Sequence, residues 1–269
     1  MANLSRVLII GGAGRIGSAL NFGIKLTHSD IDVTNIDSVK SAFDRHSPSA
    51  VLSLASLDIR KCEERPIEAY KVNVLGIYNV VQEAAKRGIP VILISSGSIF
   101  NTLQPSTEKN HPDPQNIYAQ TKYLAELFVL EQKKNLVIRT GWLFGQTPKG
   151  NIGFLEKMLQ STRLNEPVTV TTDHMGSPVY FPDFLVELRN LISSDASGIY
   201  HIANANTASA ADFIHLAVSL LESKSPVKEV LLRDMPPGPK RSPCEALVSE
   251  KKQMRPWQEA LQEYINSFV

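Results

Sequence analysis

The sequence is poor in cysteine, in long apolar runs and in surplus charge of either sign. Two cysteines, Cys62 and Cys244, occur in 269 residues. That is too few for a disulfide framework and suits two reduced thiols in a cytoplasmic protein. No apolar run approaches the ~18 residues that a membrane-spanning helix needs. The segment Met1–Ser5 has no basic region, and the first apolar run, Val7–Ile10, stops at two glycines, unlike a signal peptide. Lys and Arg total 28 against 27 Asp and Glu, a net charge of +1, so no basic field is offered to nucleic acid. The six histidines (His28, His46, His111, His174, His201 and His215) lack metal-ligand spacing, and no serine sits in a nucleophile elbow. Neither a metal centre nor a serine hydrolase is expected. There is no internal repeat. What is present is an ordinary soluble balance, 43% hydrophobic and 20% charged, long enough for two domains or one with an appendage.

Short β-rich runs alternate with segments of helical period. Arg6–Ile10, Ala50–Ala55, Pro90–Ser95 and Leu136–Arg139 read as buried strands. Asp37–Arg45, Ile67–Arg87 and Tyr118–Lys133 have the apolar spacing of amphipathic helices. This order predicts an α/β fold, a parallel sheet with right-handed crossovers. From about Gly145 the rhythm loosens into short strands such as Val168–Thr171, helices near Ala210–Glu222 and Pro256–Phe268, and a Pro236-Pro237-Gly238-Pro239 loop. Gly198–Ala203 is expected to return to the main sheet. Residues 1–146 plus about 180–203 would then form a dinucleotide-binding domain. Residues 147–179 and 204–269 would form a smaller domain covering the substrate.

Gly11, Gly14 and Gly17 follow the first strand with GxxGxxG spacing and open a helix. Glycine there permits a tight turn, backbone approach to a pyrophosphate and close helix packing, and the helix N-terminus offers free N–H groups to the anion. Between a buried strand and a helix, this spacing predicts a Rossmann-type dinucleotide site. The usual acid about twenty positions on, which would bond the ribose 2′-hydroxyl, is missing. The second strand, near Ile24–Leu26, ends in Thr27-His28 instead. Without that carboxylate a 2′-phosphate is not repelled, and Arg15 is close enough in sequence to pair with phosphate. NADP is therefore favoured slightly over NAD.

Ser96 lies at the carboxyl end of the third long strand, where open α/β sheets bind ligands. Of the seven tyrosines only Tyr118 has a lysine, Lys122, four residues on and thus on the same helix face. A nearby ammonium is expected to lower the phenol pKa from about 10, fitting Tyr118 to exchange a proton with a carbonyl or alcohol.

Together the glycine loop, Ser96 and Tyr118-xxx-Lys122 resemble the extended short-chain dehydrogenase/reductase superfamily. More narrowly, the chain is similar to the dTDP-4-dehydrorhamnose reductase family. The similarity rests on Ser29–Thr34, Lys61-Cys62-Glu63, Val72–Gly76, Asn116-Ile117-Tyr118, Arg139–Gly145, Gly176-Ser177-Pro178 and Pro256–Leu261. The resemblance implies a Rossmann-type doubly wound parallel sheet with a smaller C-terminal substrate-binding domain. It implies that Arg15, Ile16 and Gly17 hold the pyrophosphate, that Asp32 and Val33 sit beside the adenine, and that Leu54, Ala55 and Ser56 line the cofactor with Asn73 behind. It also implies that Lys122 bonds the nicotinamide ribose, that Ser96 holds the reacting carbonyl, and that Gly97 and Trp142 flank the sugar. The chain departs from the family at Ser95-Ser96-Gly97-Ser98, where Ser-Thr-Asp-Tyr is common, so the carboxylate beside the substrate is missing. An Asn before the cofactor-lining alanine, an aromatic at Ser56 and an acid at Arg60 are absent too.

The resemblance thus implies an NAD(P)-dependent reductase of a 4-keto deoxysugar nucleotide, with Tyr118 as proton donor and neither nucleic acid nor membrane as partner. An epimerase or dehydratase of the same superfamily, a non-catalytic NAD(P)-binding regulatory subunit, and assembly as a homodimer stay open.

Overall fold

The computed structural model describes residues 3–146 and 152–267. The expected end of the last helix at Phe268, and the proposed domain boundary at 146/147, touch residues outside that set. The N-terminal half alternates β1 (Val7–Ile10), α1 (Arg15–Ala19), β2 (Ile24–Leu26), α2 (Ile36–His46), β3 (Ala50–Ser53), α3 (Ile59–Glu64), α4 (Pro66–Tyr70), α5 (Gly76–Lys86), β4 (Val91–Ser96), α6 (Ile117–Leu130) and β5 (Leu136–Thr140). Then follow β6 (Trp142–Phe144), α7 (Phe154–Arg163), β7 (Val168–Thr171), β8 (Met175–Gly176), β9 (Pro178–Tyr180), α8 (Phe181–Ser193) and β10 (Gly198–Ile202). The chain closes with β11 (Ala208–Ser209), α9 (Ala210–Leu220), β12 (Val227–Val230) and α10 (Trp257–Asn266). No helix among the described residues is long and apolar enough to cross a membrane.

Six strands form one parallel sheet in the order β10-β5-β4-β3-β1-β2. Side chains alternate across it because a strand repeats every two residues. Val7 and Ile9 therefore face one core with Phe181, Phe184 and Leu188 of α8. Leu8 and Ile10 face the other, closed by Phe43 of α2, Val80 and Ala84 of α5 and Val129 of α6. A parallel sheet buried on both faces must be apolar throughout, which is why VLII and AVLS carry no polar alternation. Gly198–Ile202 does rejoin the sheet, beside β5. The C-terminal elements pack around a third core containing Phe144, Leu155, Phe213, Trp257 and Leu261.

One expected helix is interrupted. Ile67–Arg87 becomes α4 and α5 joined by a π-helical turn at Lys71–Leu75. The wider turn brings Asn73 into the interior, where its Oδ1 accepts from Leu57 N at 2.8 Å and its Nδ2 donates to Thr121 Oγ1 at 3.0 Å. Hydrophobic spacing alone does not register one such turn, and π turns often mark functional sites.

Helix α6 is anchored at three places. Asn116 caps it by accepting from Ala119 N at 2.8 Å, and Glu63 Oε1 accepts from Ile117 N at 2.7 Å. Glu126, fully buried, receives Arg139 of β5 through two nitrogens, Nε to Oε1 at 3.0 Å and Nη2 to Oε2 at 2.7 Å. Removing one member of such a pair strands a buried charge. Arg139→Met alone is expected to lower stability by about 3–5 kcal/mol, measured by urea unfolding. Arg139→Met with Glu126→Leu should recover most of that loss, and a double variant no better than the single would refute the stranded-charge account.

Candidate active site

The loop after β1 is held close to its own helix. Gly11 lies at φ +88°, and a Cβ on Gly17 would sit 2.7 Å from both the Gly11 carbonyl oxygen and Gly12 Cα. The α1 N-terminus thus packs against bare backbone. Two adjoining cavities open beyond it, both touching Gly11, Gly14, Leu54 and Ser56. The larger, about 830 Å³, is lined by Arg15, Ile16, Gly17, Ser96, Tyr118 and Lys122 together with Lys61, Thr140 and Lys157. The second, about 580 Å³, is lined by Thr27, His28, Ile31, Asp32, Val33, Ala55 and Lys71.

The structure therefore gathers Ser96, Tyr118 and Lys122 at the carboxyl end of β4 beside the glycine loop. It places Asp32, Val33 and Ala55 in the neighbouring apolar slot, with Asn73 behind the wall. Gly97 and Trp142 fall elsewhere. Neither lines either of these two cavities; Trp142, 8% exposed, packs edge-on to Phe154 with centroids 5.2 Å apart and lies over Gly176. Its indole fills the C-terminal core, and the neighbouring Gly141 and Leu143 reach the cavity instead.

Arg15 is also not where its sequence position suggested. Its guanidinium sits 5.4 Å over the Phe181 ring and borders only the larger cavity, away from Thr27 and His28. Its Nε and Nη2 are buried without a hydrogen-bond acceptor. Burial lowers its pKa, while the charges of Glu156 and Tyr264 oppose that. Unfilled N–H groups beside a glycine loop have the donor chemistry that an anion needs.

The protonation pattern differs from the sequence expectation. Burial pushes the Tyr118 phenol up to about 12, with the Ser96 hydroxyl partly offsetting this. Burial brings Lys122 down to about 8, against the opposing pull of Glu126. Desolvation penalises the charged form of each group and is the largest cause of both shifts, against the lowering that the i,i+4 pairing suggested. Tyr118 is thus a proton holder at neutral pH. Sequence reasoning missed Lys61, Lys157 and Thr140, because isolated lysines and threonines carry no spacing signal. It also missed Glu245, whose carboxylate lies 3.1 Å from Ser98 Oγ across 147 residues of chain.

Comparison with known proteins identifies the family. The family model described as RmlD substrate binding domain matches residues 5–269. The chain is 29% identical to the spore coat polysaccharide biosynthesis protein SpsK of Bacillus subtilis, over 97% of each chain. It is 27% identical to dTDP-4-dehydrorhamnose reductase of Mycolicibacterium smegmatis, over 98% of this chain and 86% of that one. A crystal structure of dTDP-4-dehydrorhamnose reductase from Bacillus anthracis in complex with NADP superposes with a TM-score of 0.89 at 27% identity, covering 98% and 99% of the two chains. The Thermotoga maritima UDP-glucose 4-epimerase, 18% identical with a TM-score of 0.80, shares the fold. The chain belongs to the RmlD substrate-binding-domain family, the dTDP-4-dehydrorhamnose reductase branch of the extended short-chain dehydrogenases/reductases, and is an NAD(P)-dependent oxidoreductase of that class.

Proposed function

We propose that the protein reduces the 4-keto group of a deoxysugar nucleotide, of the dTDP-4-dehydrorhamnose type, at the expense of NADPH. The observation that carries this reading is the convergence of Ser96, Tyr118 and Lys122 on a cavity floored by the Gly11–Gly17 loop. The residues present fit a dinucleotide. Bare backbone at Gly11 and Gly17 admits a pyrophosphate, the unfilled donors of Arg15 suit its charge, and the slot of Ile31, Asp32, Val33 and Ala55 is apolar enough for a purine. Asp32 would face the adenine and Lys122 the nicotinamide ribose. Bound there, the reduced nicotinamide supplies hydride to the carbonyl carbon.

Tyr118 then does the acid's work. Kept protonated by burial, it donates its phenolic proton to the developing alkoxide, and Ser96 orients the reacting oxygen beside it. Lys61 and Lys157 border the same space and suit the diphosphate of a sugar nucleotide. Residues 147–179 and 204–269 would cover the sugar and nucleotide, and residues 1–146 with 180–203 would hold the cofactor.

The test is NADPH oxidation by the purified chain on addition of dTDP-4-dehydrorhamnose, with one NADPH consumed per sugar reduced. Tightly co-purified NAD with isomerisation and no net oxidation would move the assignment to an epimerase. A stable complex with another enzyme and no oxidation on any keto-sugar nucleotide would make it a regulatory subunit. Gly17→Ala should weaken NADPH binding by about 10- to 100-fold, since the new methyl meets backbone that cannot yield cheaply. Fluorescence titration of NADPH reads this directly, and affinity within twofold of the parent would remove the loop from the binding site.

A further inference from the structure

Behind the wall that carries Ser96 lies a buried carboxylate that the reductase reading leaves unused. Glu245 is 3% exposed and sits in the segment before Leu247. Its backbone N donates to Met175 O of β8 at 2.8 Å, and its carbonyl oxygen packs so closely on Gly97 that no Cβ could stand there. Its Oε2 accepts from Ser98 Oγ at 3.1 Å and lies 3.5 Å from Trp142 Nε1. Its Oε1 has no hydrogen-bond partner, with His174 Nε2 and Arg241 Nη1 each 3.8 Å away. An acid so placed stays charged: burial opposes ionisation, and His174, Arg241 and Ser98 together outweigh it.

The chain of hydroxyls that follows has only one proton order. A carboxylate only accepts, so the single Ser98 proton goes to Glu245. Ser98 Oγ must then be the acceptor in its 3.2 Å contact with Ser96 Oγ, while Ser98 N donates back to Ser96 Oγ at 3.2 Å. Ser98 therefore sends no hydroxyl proton toward Ser96 Oγ, whose other neighbour is the Tyr118 hydroxyl.

We propose that Glu245 is a positioning residue for this reaction, acting on Ser96 and Tyr118 through Ser98. Glu245 brings a carboxylate to this wall from a distant loop. A side chain at 97 and the backbone at 245 exclude each other, so Gly97 is what lets the Glu245 segment come this close. The proposal rests on the reductase reading of Ser96 and Tyr118.

The experiment is a double-mutant cycle with the full chain, NADPH and dTDP-4-dehydrorhamnose. Glu245→Gln keeps the shape but can donate to Ser98, turning the Ser98 proton onto Ser96 and crowding the Tyr118 hydroxyl. It is expected to lower kcat about tenfold with KM and NADPH affinity within twofold, the size of one misdirected hydrogen bond. Ser98→Ala, which leaves Glu245 in place, should fall equally. The double variant should be no worse than either single, and Ser98→Thr should restore turnover by returning the hydroxyl. Additive losses, or a parent-like kcat in folded Glu245→Gln, would overturn the positioning role while leaving the reductase intact. Absence of turnover in the parent protein would sink both readings together.

Discussion

Tyr118→Phe should lower kcat for reduction by about 10²- to 10⁴-fold while leaving NADPH affinity nearly unchanged. The variant removes one oxygen from a side chain that lines the larger cavity beside Ser96 and Lys122. The ring remains, so the packing of α6 is not disturbed. What is lost is the proton that the alkoxide needs. Because burial holds the phenol near 12, the parent enzyme carries that proton across the whole neutral range. The reduction rate of the parent should therefore show no loss on the alkaline side that belongs to Tyr118 until the pH nears about 12, and any earlier alkaline limb must come from another group. Steady-state kinetics with NADPH, paired with a fluorescence titration of NADPH alone, separates the two effects. Full activity in Tyr118→Phe would remove the tyrosine from the chemistry.

Much of the grouping of residues around the two cavities could be read before any coordinates. The strand–GxxGxxG–helix order placed the tight glycine turn because backbone clearance is a local demand that only glycine meets, as Gly17 shows. The Tyr118–Lys122 pair was legible because helix geometry puts i and i+4 on one face. The sheet order followed from the alternation of strands and helices, down to the return of Gly198–Ile202 beside β5. What escaped is set by contacts distant in sequence. Glu245 reaches Ser98 from the far end of the chain, and no spacing announces it. The neighbours of Trp142, which reads as a sugar-facing aromatic by resemblance, are likewise distant in sequence: Phe154, His174 and Gly176. The sign of the Tyr118 shift was missed for a related reason. Two charges close together attract, but the depth at which they are buried decides the balance, and burial belongs to the folded chain alone.

The same burial makes a second substitution act in opposite directions on activity and stability. Lys122→Met should lower kcat by about 10²-fold or more and, at neutral pH, make the protein more stable. Lys122 is 6% exposed, and burial brings its pKa from 10.5 down to about 8. Below pH 8 both the folded and unfolded chains carry the ammonium, and the folded state bears the whole cost of burying it. Between about 8 and 10.5 the folded state releases the proton while the unfolded chain keeps it. The unfolded state then binds more protons, so parental stability rises with pH through that window. Methionine has a similar length and no charge, and it leaves Glu126 still paired with Arg139. The stability gain should be on the order of a few kcal/mol near pH 7 and shrink as pH approaches about 10. Urea unfolding of parent and variant at those two pH values measures it. A variant less stable than the parent near pH 7, or a gain that does not change with pH, would show that the ammonium is not carried at a cost. The gain would then identify Lys122 as a residue kept for the reaction at the expense of the fold.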